Sequence, residues 1–208
     1  MNVAAIIQAR MGSTRLPGKV LEDLGGRCVL DWVTRAAASV AGVDVVAVAT
    51  SVSSQDDPVA DWCAENGIRC ERGPEDDVLA RYAAAARAIG ASTIMRLTGD
   101  TPFLDPAVCA QVLYLHRRSN ADYTSNVDPA RWPDGLDCEV FSADALFAAE
   151  ALAFRPSDRE HVTPYIRHNR SRFAVSNLPC PVPGLGAERW ALDTPEDLDF
   201  LRGVAGGL

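Results

Sequence analysis

A short apolar run, Val3-Ala4-Ala5-Ile6-Ile7, stops at Gln8-Ala9-Arg10 and passes directly into Met11-Gly12-Ser13-Thr14-Arg15-Leu16-Pro17-Gly18-Lys19-Val20-Leu21. Such a run reads as a short buried strand, and it feeds a glycine-containing loop with Arg10, Arg15 and Lys19 as its cations. Glycine lets a backbone turn and approach a ligand closely, while guanidinium and ammonium groups neutralise charge that backbone N–H groups alone cannot. The pattern therefore predicts a loop that holds phosphates. It is not a Walker A loop: five residues separate Gly12 from Gly18 where that motif has four, and Val20 stands where a magnesium-binding Ser or Thr belongs.

Further apolar runs at 43–49 and 94–97 each lead into a polar turn and an amphipathic stretch. This order gives βαβ units, hence an α/β fold with a mainly parallel, doubly wound sheet that binds ligands beyond the carboxyl ends of its strands. Helices are expected at 29–40, 57–66, 77–89, 105–118, 143–153 and 195–202, with Gly67 and Gly90 as helix stops, and strands at 136–141 and 188–192. Residues 123–173 break the alternation and read as an excursion from the sheet, whereas 179–186 read as a surface loop. We expect one domain over 1–208.

Hydrophobic residues make up 48% and the net charge is −8, which disfavours nucleic acid and anionic lipid as partners. No stretch approaches a membrane span and the first apolar run is too short for a secretory signal, so a cytoplasmic protein is expected. The six cysteines form no Cys-x-x-Cys pair and read as small buried hydrophobes.

Two carboxylates are left over after helix caps are assigned. In Gly99-Asp100-Thr101-Pro102-Phe103-Leu104-Asp105-Pro106, Asp105 caps and Pro106 opens a helix, freeing Asp100. In Asp193-Thr194-Pro195-Glu196-Asp197, Thr194 caps with Asp197 as reciprocal partner, freeing Asp193. Both aspartates are expected to end strands on one edge of the sheet and jointly hold a metal. Mg²⁺ suits them, since it accepts one or two carboxylates and completes its shell with water and phosphate oxygens.

The stretch 8–19 closely resembles the opening of the cytidylyltransferases that activate acidic sugars, the family of the CMP-Kdo and CMP-sialic acid synthetases. Gly73 to Tyr82, Gly135 to Phe141 and Asp158-Arg159-Glu160-His161 resemble in particular the branch of spore-coat polysaccharide biosynthesis proteins of the SpsF type. The resemblance implies a Rossmann-like, GT-A-like nucleotidyltransferase fold in which 123–173 forms an inserted arm over the acceptor pocket and contributes to a homodimer. It implies a CTP-dependent cytidylyltransferase that transfers CMP to a small acidic acceptor, a sugar acid or a phosphonate, and releases pyrophosphate. Arg10, Arg15, Lys19 and Asp100 are then catalytic, and Gln8, Ala9, Gly12, Ser13, Arg81 and Thr98 contact the nucleotide. Asp100 and Asp193 hold Mg²⁺. Asp137 and Glu139 alternate with apolar residues and so share one strand face, which puts polar groups near an acceptor pocket or at a subunit interface; their individual roles, and those of Arg159 and His161, are left open. Two other readings are a nucleotide-sugar glycosyltransferase or other nucleotidyltransferase on the same sheet, and a non-catalytic dimeric nucleotide-binding subunit. The first would be favoured by an Asp-x-Asp motif, which Thr101-Pro102 does not provide after Asp100; the presence of Lys19, Asp100 and Asp193 argues against the second.

Overall fold

The computed structural model describes residues 2–207. Strands β1 (Val3–Gln8), β2 (Val45–Ser51), β3 (Arg69–Gly73) and β4 (Thr93–Thr98) run parallel, joined by helices α1 (Val29–Ala38), α2 (Asp57–Glu65) and α3 (Val78–Ile89). Helix α4 (Pro106–Ser119) leads to β5 (Tyr123–Ser125) and β6 (Glu139–Ser142), followed by α5 (Ala143–Leu152), α6 (Pro156–His161), α7 (Pro164–His168), β7 (Val175–Asn177) and α8 (Pro195–Ala205). The result is one seven-stranded sheet in the order β3-β2-β1-β4-β6-β5-β7. Among the described residues only β6 runs against its neighbours, pairing antiparallel with both β4 and β5.

Alternate residues of β1 feed opposite cores, as the pleat requires. Ala4 and Ile6 pack with α3, α5, Tyr123 and Phe141 on one face. Val3, Ala5 and Ile7 pack with α1, α2, α4 and Met95 on the other. A smaller cluster joins Leu198 and Leu201 of α8 to Leu24 and Val29, which seats the chain's last helix beside the start of α1.

The expected caps form: Asp105 accepts from backbone N–H groups at the start of α4, and Thr194 with Asp197 makes a reciprocal capping box on α8. Asp77 likewise accepts from the Ala80 N–H at the start of α3. Gly67 (φ 66°) and Gly90 (φ 70°) adopt the left-handed conformation that stops a helix.

The segment 123–173 is not an excursion from the sheet. It contributes β5 and β6, the latter between β4 and β5, and α5 packs on α3. The expected strand at 136–141 is shorter and later, since Leu136 to Cys138 is held instead by the buried Asn126 side chain. The expected strand at 188–192 is absent. Arg189 makes a single bridge with Asp134, so Asp193 ends no strand of the sheet. Cys63, Cys109 and Cys138 are buried as expected, whereas Cys28, Cys70 and Cys180 are partly exposed; all six are free thiols. Among the described residues no helix is long and apolar enough to cross a membrane.

Candidate active site

The carboxyl ends of β1 and β4 meet because Gly99 lacks a side chain. A Cβ there would lie 3.0 Å from the Gln8 carbonyl oxygen and 3.1 Å from the Ala9 Cβ, and Gly99 N–H donates to that same Gln8 oxygen at 2.9 Å. Thr98 to Asp100 thus lie against Gln8 to Arg10. Above this junction opens a cleft of about 290 Å³, lined by the loop residues Gln8, Ala9, Arg10, Gly12, Ser13, Arg15 and Lys19 together with Arg81, Thr98, Asp100 and Asp193. Every residue nominated from the sequence for the nucleotide or the metal borders this one cleft, along with Glu160 and His161.

The loop closes on itself. Ser13 and Gly18 N–H groups both donate to the Met11 carbonyl at 2.9 Å. Gly18 (φ 74°) takes the left-handed turn that glycine permits; Gly12 does not, and the nearest atom to a Cβ placed there is Gln55 Oε1 at 3.7 Å. The loop's start is pinned by Asp56, which is 2% exposed. Its Oδ1 accepts from Met11 N–H at 2.7 Å and its other oxygen from the Ser51 hydroxyl.

Three cations facing phosphate were expected, and the arrangement differs. Lys19 is buried, and Nζ donates to Asp100 Oδ2 at 2.6 Å, to the Leu192 carbonyl at 2.7 Å and to Asp193 Oδ1 at 2.8 Å. An ammonium has three N–H donors, and all are engaged. Arg15, largely exposed, pairs with Asp193 Oδ2 at 3.0 Å, and Arg189 donates to the same oxygen at 2.6 Å. Of the three loop cations, Arg10 alone has no carboxylate within ion-pair distance among the described residues. Burial by itself would raise the Asp193 pKa, but hydrogen bonds from Lys19 and Arg189 outweigh it and hold the carboxyl down at about 2.

Asp100 and Asp193 therefore converge through Lys19, with Leu192 N–H donating to the Asp100 carbonyl at 2.8 Å. The donor set fits a hard, oxygen-seeking cation: one positive centre already reaches both carboxylates, and Asp100 Oδ1 accepts no hydrogen bond from the described residues. No group of three or more His, Cys, Asp or Glu side chains is gathered for a metal among the described residues. Any such ion would thus need ligand or water oxygens to complete its shell.

Arg81 is not on a solvated helix face. It is 2% exposed and donates to the Pro74 carbonyl at 2.6 Å, closing the floor of the cleft beneath α3's first turn. Its Nε is buried without a partner.

A second cleft of about 260 Å³ adjoins the first, sharing Thr98 and His161 with it. It is lined also by Arg96, Val127, Asp137, Glu139, Thr163 and Arg167. The antiparallel β6 explains why these meet: Glu139 is in register with Arg96, so Asp137, two residues earlier, reaches the carboxyl edge of β4. The buried Glu139 accepts from the Tyr123 hydroxyl at 2.5 Å and from the Thr163 hydroxyl at 2.6 Å, and pairs with Arg96. Arg96 in turn donates to Gln8 Oε1 at 3.0 Å, which turns the Gln8 amide N–H groups away from it. Burial, with Asp134 and Glu139 nearby, pushes the Asp137 carboxyl up to about 6.

The wall between the clefts is strained. Val162, fully buried, sits at φ 70° and ψ −54°, with Thr163 N–H donating to the His161 carbonyl at 2.8 Å. That is a γ-turn of the rare form, at a β-branched residue that seldom enters positive φ. It orients His161 toward both clefts and Thr163 onto Glu139. Arg159 braces the same segment by gripping Asp77 and donating to the Glu150 carbonyl at 2.6 Å. Sequence reasoning passed over Asp56, Arg96, Thr163 and Arg167. Asp56 and Asp57 are adjacent, and only the fold shows that the first is buried and does not cap α2.

The family model for cytidylyltransferase matches residues 4–199 of the chain. The spore coat polysaccharide biosynthesis protein SpsF of Bacillus subtilis is 36% identical over 209 residues, covering 98% of this chain and 86% of that protein. Among solved structures, a cytidylyltransferase from Leptospira borgpetersenii superposes with a TM-score of 0.93 at 30% identity, over 100% of this chain and 88% of the other. CMP:2-keto-3-deoxy-manno-octonic acid synthetase complexed with CTP shares the fold, with a TM-score of 0.77 at 19% identity over 100% and 99% of the two chains. A strand-to-loop opening, a cleft gathering its cations with two aspartates, and a family match across nearly the whole chain lead to one conclusion: the protein belongs to the cytidylyltransferase family.

Proposed function

We propose that the protein binds CTP in the first cleft and transfers CMP to a small acidic acceptor seated in the second, releasing pyrophosphate. The observation that carries this reading is the adjacency of the two clefts across Thr98 and His161, one gathering Arg10, Arg15 and the Asp100–Lys19–Asp193 clamp, the other a polar pocket at the same sheet edge. Displacement at phosphorus needs little covalent help from a protein; catalysis is positioning and charge stabilisation.

Arg10, with no carboxylate within ion-pair distance among the described residues, is our candidate for the departing pyrophosphate. Arg15, exposed and attached to Asp193 by one contact, is free to exchange that contact for a phosphate oxygen. Asp100 and Asp193 are the residues that would hold Mg²⁺. When bound, such an ion neutralises phosphate charge and polarises the reacting phosphoryl group. Lys19 keeps the two carboxylates in register. Gln8, its amide fixed by Arg96, is our candidate for reading the nucleotide with Ala9, Gly12, Ser13 and Thr98, while Arg81 supports that floor from beneath. We further assign 123–173 to the acceptor wall and a dimer contact; its exposed Leu152 and Phe154 favour a homodimer, which multi-angle light scattering measures.

The experiment is pyrophosphate release with each of CTP, ATP, GTP and UTP, with Mg²⁺ and a panel of sugar acids and phosphonates. Acceptor-dependent release is expected with CTP. Tighter calorimetric binding of ATP or GTP than of CTP would overturn the nucleotide assignment.

A further inference from the structure

The stretch 188–193 reaches the first cleft without belonging to a strand, so its position is set by the contacts at its two ends. At the far end it is stitched to the connection between β5 and β6: Asp134 N–H donates to the Glu188 carbonyl at 3.1 Å, and Trp190 N–H to the Asp134 carbonyl at 2.6 Å. Gly135 lets the two backbones touch, since a Cβ there would lie 2.7 Å from the Trp190 carbonyl carbon. At the near end Leu192 N–H donates to the Asp100 carbonyl, and the Leu192 carbonyl accepts from Lys19. One side chain spans both ends. Arg189 pairs with Asp134 through Nη1, while Nη2 donates to Asp193 Oδ2 at 2.6 Å and to Asp197 Oδ2 at 3.3 Å. That Asp193 oxygen is crowded with cations, because Arg15 holds it too.

A divalent ion that takes Asp193 Oδ2 must displace Arg189 or meet its positive charge at close range, and either lowers the ion's affinity. Asp197 is a poor alternative holder for the arginine, because its Oδ2 already accepts from the Asp193 and Thr194 N–H groups. Asp134 is a good one: among the described residues its side chain has Arg189 as its one partner. We propose that Arg189 is a positioning residue that divides its charge between Asp134 and Asp193, and that Asp134 draws it off when a divalent ion takes Asp193. This rests on the proposed assignment of Asp100 and Asp193 to such an ion. The connection that carries Val127 and Asp137 into the second cleft then also governs a carboxylate oxygen of the first. Ion pairs this exposed contribute little to stability, so the arginine acts by placing charge and not by holding the fold together.

The test is a double-mutant cycle on the full chain without nucleotide, with Mn²⁺ affinity read by electron paramagnetic resonance and melting by circular dichroism. The proteins are the wild type, Arg189→Gln, Asp134→Asn and the double variant, with Asp193→Asn as the control for the metal site. Asn at 134 keeps the main-chain bonds of that residue and removes the charge that holds Arg189. Arg189→Gln should bind Mn²⁺ roughly 5- to 20-fold more tightly than wild type, and Asp134→Asn roughly 3- to 10-fold more weakly, as the undivided arginine settles on Asp193. The double variant should match Arg189→Gln to within about twofold, because without the arginine Asp134 has nothing to draw away. Melting temperatures of the Arg189 and Asp134 variants should stay within about 4 °C of wild type. An Asp134→Asn effect of equal size in both backgrounds would overturn the proposal, reducing Asp134 to one more surface charge. Unchanged Mn²⁺ affinity in Arg189→Gln would overturn it too, leaving the arginine a structural contact only. Failure of the wild type to bind Mn²⁺, or binding that Asp193→Asn does not weaken, would instead overturn the metal assignment of Asp193 and the proposal with it.

Discussion

Replacing Lys19 by Met tests whether the ammonium clamps the two aspartates or merely sits near them. The side chain is 11% exposed and its three donors meet acceptors at 2.6–2.8 Å, so Met keeps the aliphatic volume and deletes three short contacts. A hydrogen bond to a charged group contributes about 1.5–3 kcal/mol, but the losses do not add. Asp100 and Asp193 are 28% and 23% exposed, so water reaches them once the ammonium is gone, and Asp193 keeps Arg15 and Arg189. The net loss is then about 2–3 kcal/mol, equivalent to a fall in Tm of roughly 5–10 °C for a chain of this size. Two carboxylates freed of their shared cation should also bind a divalent ion better in the absence of nucleotide. Melting followed by circular dichroism gives the first quantity and titration of Mn²⁺ by electron paramagnetic resonance the second. Turnover should drop on the order of 10²–10³-fold as the carboxylates lose register. A Lys19→Met protein with unchanged Tm and no gain in Mn²⁺ affinity would show that the clamp contributes nothing, and the argument from its geometry would be wrong.

The same contacts support further expectations. Asp100→Asn should leave the melting temperature close to wild type, because Asp105 caps α4, while CTP-dependent turnover collapses; retained turnover in a folded protein would remove Asp100 from the site. Asp137 is held at about 6 when folded against an ordinary carboxylate near 3.9, so stability falls as pH rises through that window. Asp137→Asn should therefore stabilise the protein at pH 7 by about 1–2 kcal/mol, with the gain vanishing near pH 3, and should raise the acceptor KM; chemical denaturation at the two pH values checks this. His116, 7% exposed and beside the Thr124 hydroxyl, is lowered by burial to about 4. Its contribution is present above the unfolded value near 6.5 and is lost as pH falls toward 4, by up to roughly 3 kcal/mol; His116→Gln should flatten that part of the stability profile.

The nucleotide side of the molecule was legible from sequence because its residues come within a few positions of their strands' ends, at places marked by glycine, proline and cap signals. Gln8 to Lys19 continues from β1, and Asp100 from β4, ahead of a recognisable cap at Asp105. Asp193 was found through its cap too, although the strand expected before it does not form: Glu188-Arg189 supplies polar groups where a central strand needs apolar ones, and one bridge is all it makes. Edge strand β3 escaped notice because Arg69-Cys70-Glu71-Arg72 has no apolar run, lying at the margin of the sheet with one neighbouring strand. β5 and β7 are three residues each, too short for any periodicity to register. Of the second cleft only Asp137 and Glu139 were legible, through their alternation with apolar residues. Its lining comes from β4, the stretch before β6, and the turns around α6 and α7, segments related by contact and not by any local pattern.

The single reversed strand has an evolutionary corollary. Ordinary parallel strands deliver to the ligand edge the residues encoded after them, but β6 delivers those encoded before it, so Val127 and Asp137 both belong to the connection from β5. That connection begins and ends away from the stretches that carry Gln8 to Lys19 and Thr98 to Asp100. It is nonetheless tied to the nucleotide edge, because Arg189 pairs with both Asp134 and Asp193, so only changes that keep Asp134 leave that edge undisturbed. Under the proposed reading of the second cleft, Val127 and Asp137 are the positions of this connection at which substitutions would reach the acceptor.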